Sequence, residues 1–199
     1  MKEALLTVLR DKNTPPLAFR KTAEQLAAIL AMETSQSFPE EPCNIETPLG
    51  GFTGKRLKGD IVLLPVLRSG LAMLPTFMHF FPNARVGFIG VRRDERTAES
   101  HLYYDNVPDI EENEQVLILD PMLATGGTSI LTIRLLQHHK VPFKNIYVLG
   151  IICSTPGRIA VQEAFPEVHI RYLAEDPILN DAKYITPGLG DFGDRYFKS

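Results

Sequence analysis

The chain has 199 residues, 44% of them hydrophobic and 23% charged, with a formal net charge of −3. That length is enough to bury a sizeable core, and a single domain over residues 1–199 is expected. The slightly acidic balance argues against nucleic-acid binding as the main function, since such surfaces carry a basic excess, but it leaves room for a local basic pocket around a phosphorylated ligand.

The first predicted element is a helix over 17–32, with Ala18, Leu26, Ala27, Ile29 and Leu30 on an apolar side and Arg20, Lys21 and Glu24 on a polar one. Residues 35–59 read as a loop, broken by Pro39, Pro42, Pro48 and four glycines. The chain then alternates. Strands are predicted over 61–66, 86–91, 116–120, 146–153 and 168–173, and helices over 69–81, 128–139 and 156–165, with Pro75 placing a kink or an early stop in the first of these. Continuous apolar strands separated by helices indicate an α/β fold, a parallel sheet flanked by helices on both faces. The polar connection 92–114 holds no clear helix and is long, which suggests a functional segment or an extended arm. The glycine-rich tail, 180–199, reads as irregular structure. Cys43 and Cys153 lie far apart without a CxxC pattern, so neither a disulfide framework nor a zinc site follows. The apolar stretch 61–81 is interrupted by Pro65, Arg68, Pro75 and His79, and no apolar leader follows Met1. A chain without a membrane span, in a reduced cytoplasmic setting, is expected.

The sharpest motif runs from the third strand into a helix: Val116-Leu117-Ile118-Leu119-Asp120-Pro121-Met122-Leu123-Ala124-Thr125-Gly126-Gly127-Thr128-Ser129. Open α/β sheets bind ligands beyond the carboxyl ends of their strands. A helix start there offers unpaired N–H groups and a dipole end, contributing roughly 0.3–1 kcal/mol toward an anion. Gly126 and Gly127 let a phosphate approach the backbone, Thr125, Thr128 and Ser129 can add hydroxyl donors, and Asp120 can accept hydrogen bonds from sugar hydroxyls. A kinase-type phosphate loop would need a lysine, and there is none between Lys58 and Lys140. Read without a ligand, the same residues make an ordinary helix start with Thr128 as cap.

This strand, acid and Thr-Gly-Gly-Thr run resembles the phosphoribosyl pyrophosphate (PRPP) loop of the type I phosphoribosyltransferases. Most of that class carries two adjacent acids. Pro121 at the second position is similar to the uracil-specific branch. Two further stretches fit that branch. Leu64-Pro65-Val66-Leu67-Arg68-Ser69-Gly70 resembles its Pro-Ile-Leu-Arg-Ala-Gly segment at the pyrophosphate end of PRPP, with Ser69 in place of alanine. Arginine suits that place because it binds phosphate through two parallel N–H groups, although a solvated loop is the ordinary fate of one arginine. Gly90-Val91-Arg92-Arg93-Asp94-Glu95-Arg96-Thr97 resembles the stretch that carries a PRPP-binding arginine, here Arg93, with Arg92 and Arg96 as departures. Tyr103 and Tyr104 follow in what the family uses as an arm for dimer contacts.

The tail Tyr184-Ile185-Thr186-Pro187-Gly188-Leu189-Gly190-Asp191-Phe192-Gly193-Asp194 is similar to the family's uracil loop almost throughout. Glycine and proline at this density fix a non-repetitive backbone. Uracil presents two carbonyl acceptors and an N–H donor, which backbone groups can match. Cytosine would leave some of them unpaired, and such a mismatch can discriminate by about 10⁴–10⁵.

The resemblance covers roughly residues 5 to 197. It implies that PRPP is bound by Arg68, Arg93, Asp120, Pro121, Met122, Leu123, Ala124, Thr125, Gly126, Gly127, Thr128 and Asp191, and uracil by Ile185, Gly190, Asp191 and Phe192. Arg68 and Asp191 are the catalytic candidates, with Asp191 also the candidate proton acceptor. Mg²⁺ would be held mainly through PRPP, with no dedicated protein ligands. A homodimer or higher homo-oligomer is implied, with GTP as a candidate effector. The short N-terminus and the stretch Ser154-Thr155-Pro156-Gly157-Arg158 depart from the family pattern. Three other readings remain open: a pyrimidine-responsive RNA-binding regulator, which should show a basic face; a catalytically silent relative; and a phosphoribosyltransferase for another base.

Overall fold

The computed structural model describes residues 1–93 and 100–199, with Arg93 described through its backbone. Asp94, Glu95, Arg96 and Thr97 of the motif above lie outside the described residues. In chain order the elements are α1 (Lys2–Arg10), α2 (Pro16–Ser35), β1 (Glu40–Thr47), β2 (Gly50–Leu57), β3 (Ile61–Leu67), α3 (Leu74–Phe80), β4 (Arg85–Val86), β5 (Phe88–Arg93), β6 (Ser100–Asn106), β7 (Gln115–Leu119), β8 (Met122–Leu123), α4 (Gly127–His138), β9 (Ile146–Ser154), α5 (Thr155–Ala164), β10 (His169–Asp176), β11 (Ile178–Leu179), β12 (Ile185–Thr186) and α6 (Phe192–Phe197).

The central sheet has the order β10-β9-β7-β3-β5-β6, parallel except where β6 returns antiparallel to β5. Alternate residues of its buried strands feed two cores. Ile61, Leu63, Leu117, Leu119, Tyr147 and Leu149 pack with α1, α2 and α3. Val62, Leu64, Val116, Ile118, Ile146 and Val148 pack with α4 and α5. A strand buried on both faces can carry no polar alternation, so β3, β7 and β9 appear in the sequence as unbroken apolar runs. β3 pairs with β5 on one side and β7 on the other, and the two halves of the sheet grow outward from that pair. The carboxyl ends of β3 and β7 therefore flank a topological switch point, where open sheets of this type leave a ligand crevice.

Three expectations need correction. Residues 35–59 hold an antiparallel hairpin, β1–β2, closed by Pro48 and Leu49. It projects with most of both faces exposed, so no apolar alternation marked it. Pro75 neither kinks nor stops a helix. It sits in the first turn of α3, where its missing N–H removes no hydrogen bond, and a short 3₁₀ turn, Ser69–Ala72, precedes it. In the connection 92–114, where no helix is expected, residues Ser100–Asn106 form strand β6. The tail is not all irregular, since it carries β12, paired with β11 just before it, and the helix α6. Helix α1 was not anticipated; it buries only Leu6 and Leu9. Among the described residues no helix is long and apolar enough to cross a membrane.

Inside α4, Thr132 is fully buried and its Oγ1 has no hydrogen-bond partner among the described residues. A buried unpaired hydroxyl carries its desolvation cost uncompensated. Thr132→Val keeps the branched shape and removes that group, so it is expected to raise the unfolding free energy by about 1 kcal/mol in urea titration. A loss of stability would show that the hydroxyl is satisfied in solution.

Candidate active site

The loop after β7 is anchored before it reaches α4. The Asp120 N–H donates to Leu149 O at 2.9 Å, and Pro121 O accepts from the Ile151 and Ile152 N–H groups at 2.9 and 3.1 Å. β8 then pairs with β9. Pro121 has no N–H and its carbonyl is occupied, so it shapes the turn, while Leu123 is buried in the core beneath α4 and α5. The N-cap of α4 is Gly126, at φ 82, and not Thr128. A Cβ on Gly126 would lie 2.9 Å from Gly157 O, so glycine is required there by both conformation and space. Thr128 lies within the first turn, its Oγ1 3.5 Å from Ser100 Oγ. The Gly127 N–H faces Thr125 Oγ1 at 3.4 Å. The departure at 154–158 has a structural role. Ser154 caps α5 by accepting from the Gly157 N–H at 2.9 Å, and its hydroxyl donates to Ala124 O. One buried serine thus ties the phosphate-type loop to the next helix.

Asp120 lies at the β7 end, half-buried. Burial pushes its carboxyl up from 3.8 to about 7, weakly opposed by the Met122 N–H. Its carbonyl accepts from the Tyr172 hydroxyl at 3.4 Å.

Across the switch point stands the turn after β3. Arg68 is exposed, its guanidinium carbon 5.9 Å from the centre of the Phe197 ring, and the Leu67–Arg68 peptide is cis. Gly70 presses on the β7 end: a Cβ there would lie 2.3 Å from Leu119 O. Ser69 Oγ stands 3.0 Å from where a Cβ of Gly193 would be, at the start of α6. On the other flank, the backbone of Arg93 pairs with Ser100, whose hydroxyl meets Thr128. The structure thus brings together the Arg68 turn, Asp120, the start of α4, the end of β5 and the start of α6.

The tail is more ordered than its glycines suggest. Gly188 and Gly190 take φ 54 and 83, and the Thr186–Pro187 peptide is cis. Gly190 and Asp191 are exposed. Asp191 is the N-cap of α6, accepting from the Asp194 N–H at 2.9 Å through Oδ1, so a ligand would meet Oδ2. Ile185 and Phe192 are buried, with the Phe192 ring centre 5.3 Å from that of Phe19. Phe192 is thus a packing residue at the start of α6, buried in backbone and ring alike.

Sequence reasoning missed the residues that hold this tail. Arg10, at the end of α1, donates to both carboxylate oxygens of Asp176 at 2.7 Å and to Gly188 O at 2.8 Å, while the Gly188 N–H donates to Asp176 Oδ2 at 2.9 Å. Arg195 donates to Leu9 O and Leu189 O at 2.8 Å and to Asp11 O at 2.6 Å, and lies 4.4 Å over the Phe19 ring. The only local signal was the spacing of Leu5, Leu6 and Leu9, which marks a short amphipathic helix.

A helix start, a strand-end acid and an arginine-bearing turn stand around one switch point of the sheet, an arrangement shared by the α/β folds that bind nucleotides there. A hypoxanthine phosphoribosyltransferase from Staphylococcus aureus superposes with a TM-score of 0.53 at 16% identity, over 80% of this chain and 76% of that one, which places the chain in the phosphoribosyltransferase fold. The AQ2163 protein from Aquifex aeolicus superposes with a TM-score of 0.90 at 36% identity, over 98% and 93%. Relatives named uracil phosphoribosyltransferase include one from Finegoldia magna, 42% identical over 96% of this chain and 91% of that protein, and one from Dictyoglomus turgidum, 40% identical over 96% and 92%. The uracil phosphoribosyltransferase family model matches residues 1–199, and the chain belongs to that family.

The raised Asp120 carboxyl has a consequence for stability. Between pH 3.8 and about 7 the folded chain keeps a proton that the unfolded chain releases, so this group costs more stability as pH rises through that window. Asp120→Asn is expected to raise the melting temperature of the ligand-free protein at about pH 8 and to leave it nearly unchanged at about pH 4. An equal difference at both pH values would contradict the burial argument.

Proposed function

We infer that this site joins N1 of uracil to C1′ of PRPP, giving UMP and pyrophosphate. The observation that carries the reading is the meeting, at one switch point, of the α4 start, Asp120 and the Arg68 turn with a uracil-type tail. In the reaction the C1′–oxygen bond breaks, and its electron pair leaves with pyrophosphate. The new bond uses the N1 electron pair, and the N1 proton leaves to an acceptor. This chemistry needs positioning and charge stabilisation and no covalent nucleophile.

The start of α4, from Thr125 to Thr128, would hold the 5′-phosphate through its first N–H groups and hydroxyls. Asp120 would accept hydrogen bonds from the ribose hydroxyls, a role that requires its ionised form. Arg68 and Arg93 would stabilise the leaving pyrophosphate. The backbone from Ile185 to Phe192 would read the uracil edge, and Asp191 is the candidate proton acceptor, supported by its exposed place at the start of α6.

Phosphoribosyltransferases of this kind use PRPP with Mg²⁺. Among the described residues no three His, Cys, Asp or Glu side chains cluster, and one half-buried carboxylate at a strand end suits an ion that arrives on substrate phosphates. When bound, the ion supplies charge neutralisation on the leaving pyrophosphate. A cytoplasmic setting is supported by the two cysteines, which form no disulfide. A homodimer is supported by exposed Tyr103 and Tyr104 on β6 and by exposed Ile45, Leu49 and Phe52 on the hairpin. GTP as effector rests on the family resemblance alone.

Incubation with labelled uracil, PRPP and Mg²⁺ is expected to yield UMP, and none of the corresponding products from cytosine or hypoxanthine. Arg68→Ala is expected to lower kcat/KM by about 10²-fold or more, as for the loss of one charge-stabilising donor. PRPP binding without turnover of any base would overturn the enzyme reading, and a gel shift with RNA would then favour a regulator.

A further inference from the structure

We propose that Arg10 and Asp176 are positioning residues for uracil, which act by fixing the backbone of the turn at Gly188. The proposal rests on the reading of residues 185–192 as the base site.

Asp176 lies at the end of β10 and is buried. It uses both oxygens on Arg10 and one of them again on the Gly188 N–H. Arg10 returns a third bond, to Gly188 O. Both polar groups of one peptide residue are thus held by a single charge pair, in a ring that closes on itself. Gly188 has no slack elsewhere: at φ 54, a Cβ would lie 2.2 Å from Ile185 O. The next carbonyl, Leu189 O, is held by Arg195, which also binds Leu9 O and Asp11 O at the end of α1. Between these held carbonyls and the body of α6 lie Gly190 and Asp191, both exposed.

Backbone recognition has a specific weakness. The donor and acceptor directions are set by φ and ψ, and no side chain can swing to correct an error. An edge read by backbone must therefore be held from behind, and a misplacement of about 1 Å can cost 10²-fold in rate. The Arg10–Asp176 pair faces the turn from the side of α1 and β10. The start of α4, which would carry the phosphate, is braced separately by Ser154. Loss of the pair should therefore affect the base far more than PRPP, whose one expected contact in the turn, Asp191, is also held by the α6 cap.

Arg10→Lys keeps the charge but loses the fork that spans Asp176 and Gly188 O. Asp176→Asn keeps an acceptor for the Gly188 N–H and removes the ion pair. In both variants KM for uracil is expected to rise about tenfold, with KM for PRPP within about twofold of the parent. Amide hydrogen exchange of the ligand-free variants should quicken in peptides covering 186–192 and stay unchanged in those covering 116–130. A parallel rise of both KM values, or unchanged exchange at 186–192, would overturn the proposal. If the parent protein itself makes no UMP, the base-site reading fails, and the exchange measurement still decides whether the pair holds the turn.

Discussion

The site depends on the close approach of two turns at the carboxyl ends of adjacent parallel strands. β3 and β7 are neighbours in the sheet, yet their following helices pack on opposite faces. Their turns therefore separate from a common edge and leave a crevice between them. Gly70 sets how close they start. Its Cα rests against the Leu119 carbonyl, in a space where any side chain would meet backbone. The same contact places Ser69 against the start of α6, so sheet, arginine turn and tail are registered to one another over a few ångströms.

The proposed phosphate loop carries no lysine, so an anion there would meet backbone N–H groups and hydroxyls. Unpaired N–H groups at a helix start are fixed dipoles, and a fixed dipole works best when its loop cannot relax. That rigidity has visible sources: Gly126 seated against Gly157, Pro121 O taken by two N–H groups of β9, and the Ser154 hydroxyl on Ala124 O. The neighbouring acid is held under tension of a different kind. Asp120 is desolvated and close to neutral pH in its ionisation, with no cation beside it among the described residues. A ligand that brings positive charge, or hydroxyl donors to replace lost water, favours the ionised form. Hydroxyl donors docked on Asp120, as proposed for the ribose, would therefore favour its ionised form.

The parts of the fold legible in the sequence are those whose physics is local. β3, β7 and β9 show as apolar runs because both faces are buried, and the Asp120 to Thr128 segment shows because its acid, hydroxyls and paired glycines follow one another directly in the chain. The hairpin was hidden because most of its residues are exposed and none supplies a core stripe. Helix α6 was hidden because the same glycines that shape the base loop suppress helical patterning up to Asp191, which then caps it. Pro75 has opposite meanings inside a helix and in its first turn, and only the position of the helix start distinguishes them. The links from Arg10 to Asp176 and from Arg195 to Leu9 join residues more than 160 positions apart, and no spacing rule reaches that far.

That last group also explains why α1 exists. Nine residues that bury two leucines add little to the core. Their value lies at the carboxyl end, where unpaired carbonyls need donors. Arg195 supplies them, and in doing so it shares its guanidinium between the end of α1 and the base turn. Arg10 makes the complementary link in the other direction, from α1 to Gly188. Each element satisfies polar groups that the other would leave unpaired. The chain's first helix and its last turn thus form one polar unit. If the turn reads a base through its backbone, as proposed, the precision of that reading would rest on this unit.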